Sequence, residues 1–379
     1  MWLLRIIVPQ QINGPLHKMQ LRKKLRWVVK SPSSYNDYLF NEIELSEKYD
    51  LIVSYEEDSL SIYPWKEKVV NVYKKDGKNK FLRKFHLLIS AFFERETFFI
   101  VGGWGSLFLL SLIFILNIRS RKYAIWLDSQ NLNQKRSIAK ERIRKLLLSI
   151  IYKRTPLFLA TGRMAIKNLV SDGCSKSKII NFPYVVDSTK YNRNISFELH
   201  DPIVFLSAGR LQLDLKGYDL TIKALSILKK RANLKFKYLI AGDGPDRGEL
   251  IKLINQLHLE NEVKLVGWLE QSEIVDFYKQ GDVFLHPAIF EPYGTVIQEA
   301  ISSGLLIIGS DQTGAIVDLI TSGKNGYIHK TNDINDIIKH ISIFLKSHTN
   351  KRGLLAESYI IADNFDAKFS IDKLEKYTR

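Results

Sequence analysis

The chain has 379 residues, of which 45% are apolar and 25% charged, a balance that excludes a disordered protein. A single cysteine, Cys174, excludes an intramolecular disulfide and a cysteine-based metal cluster, and it favours a reducing compartment. The net charge of +16 is uneven: residues 1–190 hold 33 Lys+Arg against 16 Asp+Glu, whereas residues 191–379 hold 23 against 24. This asymmetry predicts an anionic partner for the first half, namely a membrane surface, a phosphorylated substrate or nucleic acid.

The N-terminal stretch begins with the apolar run LLRIIV (3–8), which is too short for a signal peptide and predicts a first buried strand. The segment KMQLRKKLRWVVK (18–30) follows, with six Lys/Arg, no acid, and Leu21, Leu25 and Val28 at helical spacing. This pattern predicts a basic amphipathic helix of the kind that lies on anionic bilayers.

Short apolar runs then recur along the first half, and each is followed by a turn and a longer amphipathic pattern. The predicted strands are DLIVSY (50–55), TFFIV (97–101), YAIWLD (123–128) and PLFLATG (156–162). A second basic amphipathic helix is predicted at 135–154, which holds eight Lys/Arg against Glu141 alone. The polar stretch 187–202 lacks an apolar period and predicts a linker.

The uncharged segment 97–118 is long enough for a transmembrane helix. Gly102, Gly103 and Gly105 interrupt it after a β-branched and aromatic run, and neither half alone is long enough to cross a bilayer. The favoured interpretation is strand, glycine turn and buried helix, and a membrane span remains the alternative.

The second half repeats the alternation. Its predicted strands are IVFLSAG (203–209), FKYLIAG (236–242), VKLVG (263–267), VFLHPA (283–288) and LLIIGS (305–310). Two series of buried strands and helices predict two doubly wound parallel sheets, whose ligands bind at the carboxyl ends of the strands. The site should therefore lie in a cleft between two domains.

Two strand-end loops carry phosphate-binding chemistry. Arg210 and Lys216 follow the strand 203–209, and an arginine fork beside a lysine charge suits a diphosphate, although two solvated cations would give the same pattern. In AGDGPDRGEL, Gly242 and Gly244 permit a tight turn. Gly248 comes one place late for a dinucleotide fingerprint, which argues against a nicotinamide-dependent Rossmann enzyme.

The stretch EPYGTVIQEA (291–300) places two carboxylates around a turn and a helix start. Thr295 is expected to cap the helix, and the backbone N–H groups near Gly294, Thr295 and Val296 form an anion site at its N-terminus. Glu291 precedes the turn and Glu299 lies about one turn into the helix. A carboxylate cannot bind phosphate, so each should accept hydrogen bonds from hydroxyls, with a sugar on one side of a pyrophosphate and a ribose on the other.

Together these motifs resemble glycosyltransferase family 4, the retaining GT-B enzymes, and in particular its bacterial surface-polysaccharide members. The order that carries the resemblance across 203–330 is SAGRL…KG, IAGDGP, VKLVGW, GDVFLHPA, EPYGTVIQEA, SGLLIIGSD and GKNGYIH. The resemblance implies an α/β fold of two Rossmann-like domains, 1–190 and 191–357, with a final helix in 358–379 that crosses back to the first domain.

The resemblance also implies roles for individual residues. Arg210 and Lys216 would hold the donor's pyrophosphate, Glu291 the transferred sugar and Glu299 the ribose. The backbone around Gly267-Trp268 would lie near the base. The donor-binding set is then Arg210, Lys216, Gly242, Gly244, Gly267, Trp268, Glu291, Gly294, Thr295, Val296 and Glu299.

The first half resembles the family less well. Asn13-Gly14 in PQQINGPLHK stands where members carry a glycine-rich loop, and Asp128-Ser129 where many carry a histidine. Asn13, Gly14 and Ser129 are the acceptor-side candidates, and Asp128 joins Glu291, Lys216 and Arg210 as a catalytic candidate. His286, at a strand end, is interpreted as a packing residue.

No Asp-x-Asp pair and no ligand spacing of histidines occur, so the sequence predicts metal-independent transfer without a cofactor. The predicted function is retaining sugar transfer from a nucleotide-sugar to a lipid-linked glycan, at the cytoplasmic face of the cell membrane. An integral membrane protein and a nicotinamide-dependent enzyme are the alternatives. A nucleic-acid binder is disfavoured because neither aromatic-interleaved basic strands nor a reading helix is present.

Overall fold

The computed structural model describes residues 22–57, 74–75, 79–131, 137–191, 199–346, 361 and 366–378. The first half contains seven strands: β1 (Lys23–Val29), β2 (Tyr49–Tyr55), β3 (Lys74–Lys75), β4 (Phe98–Gly102), β5 (Tyr123–Leu127), β6 (Leu157–Ala160) and β7 (Ile179–Asn181). They form one sheet in the order β3-β2-β1-β4-β5-β6-β7, and every neighbouring pair is parallel.

Helices cover both faces of this sheet, so its inner strands read as continuous apolar runs. The helices are α1 (Ser34–Leu45), α2 (Lys80–Phe93), α3 (Leu107–Ile118), α4 (Ile138–Arg154) and α5 (Gly162–Ser171). On one face, α1 packs with Leu39, Phe40 and Ile43 around the fully buried Trp27. On the other face, α2 to α5 contribute a second apolar cluster.

The second half contains six strands: β8 (Ile203–Ala208), β9 (Phe236–Ala241), β10 (Val263–Gly267), β11 (Val283–His286), β12 (Leu306–Ser310) and β13 (Gly326–His329). They form a second parallel sheet in the order β10-β9-β8-β11-β12-β13. Its helices are α6 (Leu213–Lys216), α7 (Tyr218–Ala232), α8 (Arg247–Gln256), α9 (Gln271–Lys279), α10 (Thr295–Ser302), α11 (Gly314–Leu319) and α12 (Ile334–Lys346).

The last described helix, α13 (Ala367–Thr378), lies on the first sheet rather than the second. Its Ala367, Ile371 and Leu374 are buried in the same cluster as α1. The Tyr49 hydroxyl contacts the Thr378 hydroxyl at 2.9 Å, and Lys48 pairs with Asp372 at 2.8 Å. The chain therefore returns to its first sheet after completing the second.

The strands predicted from 50–55 onward are confirmed within about two residues in both halves. The strand, glycine turn and helix predicted for 97–118 are confirmed as β4, a glycine turn and the twelve-residue α3. The helix is buried on one side only, because Leu107, Phe114 and Ile118 are exposed. Within the described ranges, no helix combines the length and the apolar character needed to cross a membrane. The predicted strand 3–8 lies outside the described residues.

The helix predicted at 18–30 is wrong over its described part. Lys23–Val29 is strand β1, which lies between β2 and β4 with its last five residues buried. Four of the five residues in the run LRWVV are apolar, and its last two are β-branched valines, which favours a buried strand. The cations are confined to the strand's start and to Arg26, which reaches Glu94 at 3.6 Å. Residues 23–29 therefore do not form a membrane-surface helix. The helix predicted at 135–154 is confirmed as α4 from Ile138.

Candidate active site

A cavity of about 300 Å³ opens between the two sheets, at the carboxyl ends of their strands. Ser33, Tyr35, Asp128 and Tyr184 line it from the first half. A second cavity of about 250 Å³ shares these four residues and extends into the first half as far as Gly102 and Gly103. The two cavities are therefore neighbouring spaces that meet at Asp128.

Most of the predicted site residues line the larger cavity: Asp128, Arg210, Lys216, Gly242, Trp268, Glu291, Gly294, Thr295, Val296 and Glu299. Ser129, Gly244 and Gly267 are not among its lining residues. Asn13 and Gly14 lie outside the described residues.

Lys216 and Glu291 form an ion pair at the centre of the second-half wall. Lys216 ends α6, and Gly217 follows it in the left-handed conformation at φ 62°, where an added Cβ would lie 2.5 Å from the Pro287 carbonyl. The backbone of Glu291 is fixed by its N–H, which donates to Gln312 O at 3.0 Å. The two charged groups thus come from two strand-end loops, which are joined by a hydrogen bond from Ile289 N to Leu215 O at 2.8 Å.

Arg210 is positioned by a second close approach of backbone segments. Gly209 N donates to Ala241 O at 2.9 Å, and Leu211 N donates to Asp243 O at 3.0 Å. A Cβ at Gly242 would lie 1.9 Å from Gly209 O, and one at Gly244 would lie 2.4 Å from Leu211 O. Both glycines therefore permit close contact with the chain itself, and of the two only Gly242 also lines the cavity.

Gly267 also contacts the chain itself. Its carbonyl accepts a hydrogen bond from Gly242 N at 2.6 Å, which ties the end of β10 to the end of β9. Trp268, the next residue, lines the cavity beside Leu269 and Glu270. The structure therefore presents the side chains after Gly267, rather than Gly267 itself, to a ligand.

The helix start at α10 differs from the expectation in one respect. Thr295 is the first helical residue, and Gly294, at φ 90°, occupies the N-cap position, so no side chain caps the helix. The reason is steric: an added Cβ at Gly294 would lie 2.9 Å from Glu291 Cγ and 3.3 Å from Thr313 Cγ2. An uncapped helix N-terminus facing a cavity is a site where N–H groups and the helix dipole favour an anion.

Glu299 lies in the second turn of α10 and faces the same cavity. The Tyr278 hydroxyl donates to Glu299 Oε2 at 2.9 Å. Burial raises the pKa of Glu299 to about 7, and the hydrogen bond from Tyr278 opposes part of that rise. The group can therefore change its protonation state near neutral pH.

Asp128 follows β5 and faces the cavity from the first half. The Tyr184 hydroxyl donates to Asp128 Oδ2 at 3.0 Å. Burial raises the pKa of Asp128 to about 6, with a smaller contribution from the negative charge of Glu291 across the cleft. Its neighbour Ser129 is buried and accepts a hydrogen bond from Asn168 Nδ2 at 3.3 Å, so it supports the loop.

His286 lies beneath the ion pair. It is buried, stacks on Phe284 at 6.2 Å, and its Nε2 is 3.8 Å from Glu291 Oε2. Burial and the nearby Lys216 charge lower its pKa well below the usual value. A neutral, stacked imidazole agrees with a packing role.

Sequence reasoning missed the loop that follows β1. Pro32, Ser33 and Tyr35 line the larger cavity, and Ser31 and Asn36 line the smaller one. The available signal was VVKSPSSYND, an apolar run followed by Ser-Pro-Ser and a helical pattern. The neighbouring cations favour a helix across this stretch, so the pattern alone does not reveal the loop.

The two halves of the cleft also contact each other directly. The backbone N–H of Arg163, at the start of α5, donates to Asp318 Oδ1 at 2.9 Å, and its side-chain Nε reaches the same oxygen at 3.1 Å. Gln298 Nε2 donates to Tyr184 O at 3.0 Å. These contacts place α5 and Tyr184 of the first half against α11 and α10 of the second.

Two facing α/β domains, with a cleft between the carboxyl ends of their strands, define the GT-B architecture. Solved structures show the same fold. The structure of Anabaena Alr3699/HepE in complex with UDP superposes with a TM-score of 0.71 at 14% identity, over 93% of this chain and 98% of that one. Residues 188–358 match the family model described as Glycosyl transferases group 1. Through this region, which is the second half of the chain, the protein is similar to that family.

Curated relatives match mainly over part of their length. The amylovoran biosynthesis glycosyltransferase AmsK of Erwinia amylovora is 30% identical over 189 residues, which are 48% of this chain and 46% of that protein. The phosphatidylinositol N-acetylglucosaminyltransferase GPI3 subunit of Saccharomyces cerevisiae is 30% identical over 154 residues, 40% of this chain and 32% of that protein. The chain thus spans half or less of the length of these relatives.

Proposed function

We propose that this protein is a retaining glycosyltransferase that moves a sugar from a nucleotide-sugar donor to a lipid-linked glycan acceptor in surface polysaccharide synthesis. The observation that carries the proposal is the composition of one cavity wall. Arg210, Lys216 and the uncapped N-terminus of α10 supply positive charge beside two carboxylates, Glu291 and Glu299. A ligand with a diphosphate flanked by two hydroxyl-bearing rings matches both the positive groups and the two carboxylates.

The donor's diphosphate would bind between the cations and the helix N-terminus. As the bond to the sugar breaks, negative charge develops on the departing diphosphate, and preorganised cations stabilise it. Lys216 is paired with Glu291, so donor binding would exchange this partner for phosphate. We propose that the transfer needs no metal, since these groups supply the charge stabilisation.

The carboxylates would orient the two rings. Glu291 lies nearest Lys216 and would accept hydrogen bonds from the transferred sugar, whereas Glu299 would accept them from the ribose. Trp268 and the backbone after Gly267 would lie beside the base. The UDP complex of Alr3699/HepE supports a nucleotide as ligand of this fold.

The acceptor would enter from the first half. Asp128 lies where the two cavities meet, so it is the catalytic candidate closest to an acceptor hydroxyl. A carboxyl group with a pKa of about 6 can accept a proton near neutral pH. The loop Ser31–Asn36 and the space beside Gly102 and Gly103 would hold the rest of the acceptor.

A membrane-associated acceptor is supported by charge and by the relatives' names. AmsK is named for amylovoran biosynthesis, and the GPI3 subunit for transfer to phosphatidylinositol. The excess positive charge lies in residues 1–190, and α4 exposes Lys140, Arg142 and Lys145. We therefore propose a peripheral enzyme on the cytoplasmic face of the cell membrane, with α4 contacting anionic lipid.

A thermal-shift panel of UDP-, GDP-, dTDP- and CMP-sugars tests the donor proposal. The matching donor should raise the melting temperature through mass action, and Glu299→Ala should remove the shift. NAD and NADP serve as comparison ligands in the same panel. A shift with a nicotinamide nucleotide and none with a nucleotide-sugar would contradict the proposal and favour a dehydrogenase.

A further inference from the structure

Helix α2 exposes large apolar side chains to solvent, whereas a surface helix usually exposes polar ones. It buries Arg83, Leu87 and Ala91 and exposes a continuous apolar stripe. That stripe consists of Phe81, Leu82, Phe85, Ile89, Phe92 and Phe93. Scattered exposed apolar side chains are ordinary, but a stripe of large ones on one helix marks an interaction surface.

The neighbouring helix α3 extends this surface. It packs against α2 and exposes Leu107, Phe114 and Ile118 at helical spacing. The two most exposed of these side chains lie at the helix starts, since Phe81 and Leu107 are each 84% exposed. Leu82 and Phe85, in the first two turns of α2, are 66% and 64% exposed. We call these four residues the cleft-edge apolar face.

The position of this face follows from contacts of Glu56, the residue directly after β2. Glu56 Oε1 pairs with Lys84 of α2 at 3.0 Å, and Glu56 Oε2 accepts a hydrogen bond from Ser106, the N-cap of α3, at 2.8 Å. Both helices therefore begin at the carboxyl edge of the first sheet. Gly103, which precedes Leu107 by four residues, lines the cavity proposed for the acceptor.

The charge around the face identifies its partner. The first half holds 33 Lys+Arg against 16 Asp+Glu, and α4, on the same side of the sheet, exposes Lys140, Arg142 and Lys145. Arg119 stacks on Phe92 at 4.4 Å at the far end of α2. Large apolar side chains bordered by cations match the interface of an anionic bilayer, where rings enter the acyl region and cations meet headgroups.

We propose that the cleft-edge apolar face inserts into an anionic lipid bilayer and turns the acceptor cavity toward the membrane. This rests on the proposed function for the identity of the acceptor, but the docking itself does not depend on turnover. It adds apolar insertion, at named residues, to the electrostatic contact of α4. Insertion predicts binding that weakens with salt without vanishing, because the apolar contribution is not screened.

Flotation with vesicles of phosphatidylcholine and phosphatidylglycerol tests the proposal on the full chain. The double substitution Phe81→Ser with Leu107→Ser should weaken vesicle binding about tenfold or more, since two large side chains lose their burial. Leu45→Ser is the matched control, because Leu45 is 62% exposed on α1, on the opposite face of the sheet. Wild-type affinity in the double variant would overturn the proposal.

A probe measurement covers the case in which the double variant fails to fold. Cys174 is buried, so a thiol-reactive environment-sensitive dye attached to Phe81→Cys reports that position. Its emission should shift to the blue on vesicles and be quenched by spin labels in the acyl chains, while the same dye at Leu45→Cys should not respond. A dye at position 81 that stays in water would overturn the inserted face.

The two proposals fail separately. If the protein binds its nucleotide-sugar but no vesicle of any composition, the docking inference is wrong and the proposed donor site stands. If vesicle docking through Phe81 and Leu107 persists without any nucleotide-sugar binding, docking is supported and the proposed function is contradicted.

Discussion

The two halves of this molecule form one cleft but carry different surfaces. Residues 191–379 hold 23 Lys+Arg against 24 Asp+Glu, and among their described residues before the last helix the large exposed apolar side chains are Ile251, Val266 and Ile343, at 38%, 43% and 39%. The first half carries the whole charge excess, and its α2 alone exposes Phe81 at 84% and Phe93 at 69%.

The difference separates two kinds of recognition. The second half places its ligand groups inside the cleft, on strand-end loops locked by backbone contacts, as for Lys216 beside Gly217 and Pro287. The first half has few charged groups in the cleft, with Asp128 among them, and directs its cations and apolar side chains outward. We infer that the second half recognises a small charged donor and the first half an extended partner. Substitutions in each half test that division.

The largest effect is expected at Lys216, in the proposed donor site of the second half. Lys216→Ala should weaken binding of the nucleoside diphosphate by about 2–5 kcal/mol, because a desolvated charged contact is lost, and turnover should fall at least as far. Calorimetry with the nucleotide identified by the thermal-shift panel measures the affinity. Lys223→Ala is the matched control, since Lys223 pairs only with Asp219 among the contacts described, at 2.7 Å on α7.

Equal nucleoside diphosphate affinities for Lys216→Ala and Lys223→Ala would contradict the proposed difference between the two halves. The second half would then bind its ligand without any contribution from the Lys216 charge in the cleft. Vesicle binding serves as the internal reference, because neither substitution touches the first half.

The next effect divides the two carboxylates. Glu299→Ala should weaken bare nucleotide binding by about 10- to 100-fold, because the ribose hydroxyls lose a charged acceptor. Glu291→Ala should bind bare nucleotide nearly normally and lose turnover, because it contacts the transferred sugar. Calorimetry and product release measure the two quantities on the same preparations.

Both substitutions also test a purely structural explanation. If Glu291 and Glu299 only stabilise the helix start, both variants should melt earlier and lose nucleotide binding to the same degree. Glu291→Gln and Glu299→Gln keep the size of each side chain and separate packing from charge.

The sequence supported much of the second half and less of the first, for a physical reason. Strand-end residues such as Arg210, Lys216, Glu291 and Glu299 are recognisable because parallel strands bring their carboxyl ends to one edge. The role of Gly244 could not be predicted, because its close contact is with Leu211, which is distant along the chain. The cap at Gly294 depends on the nearby Glu291 and Thr313 side chains, which propensity does not include.

In the first half, the balance between charge and burial misled the interpretation. The cations around β1 suggested a surface helix, although Leu25, Trp27, Val28 and Val29 are buried in the centre of the sheet. The loop Ser31–Asn36 directly follows this strand, so a helix prediction here also hides the loop. Periodicity also cannot show which face of a helix is covered, so the outward apolar stripe of α2 required the structure.

A smaller effect is expected from charge reversal on α4. Lys140→Glu with Lys145→Glu should weaken binding to anionic vesicles about 30-fold at low salt, since each of the two cations near the surface contributes about 1 kcal/mol. The difference should shrink at high salt. Lys230→Glu with Arg231→Glu, at the exposed end of α7, is the matched control in the second half. Equal losses in both pairs would show that net charge, rather than the first half, directs binding.

The smallest effect concerns pH and again separates the two halves. Glu299 in the free protein has a pKa raised to about 7 by burial, and hydrogen bonds from ribose hydroxyls would favour its ionised form. Binding then releases a proton, so nucleotide affinity should rise by about threefold between pH 6 and pH 8 and level off above the free pKa. Ionisation of the phosphate contributes equally to wild type and Glu299→Gln, so their difference isolates the carboxyl group. Asp128, with a pKa of about 6, lies on the acceptor side, and Asp128→Asn should leave this difference unchanged. A pH dependence that disappears in Asp128→Asn and persists in Glu299→Gln would reverse the assignment, because the nucleotide would then be sensed from the first half of the cleft.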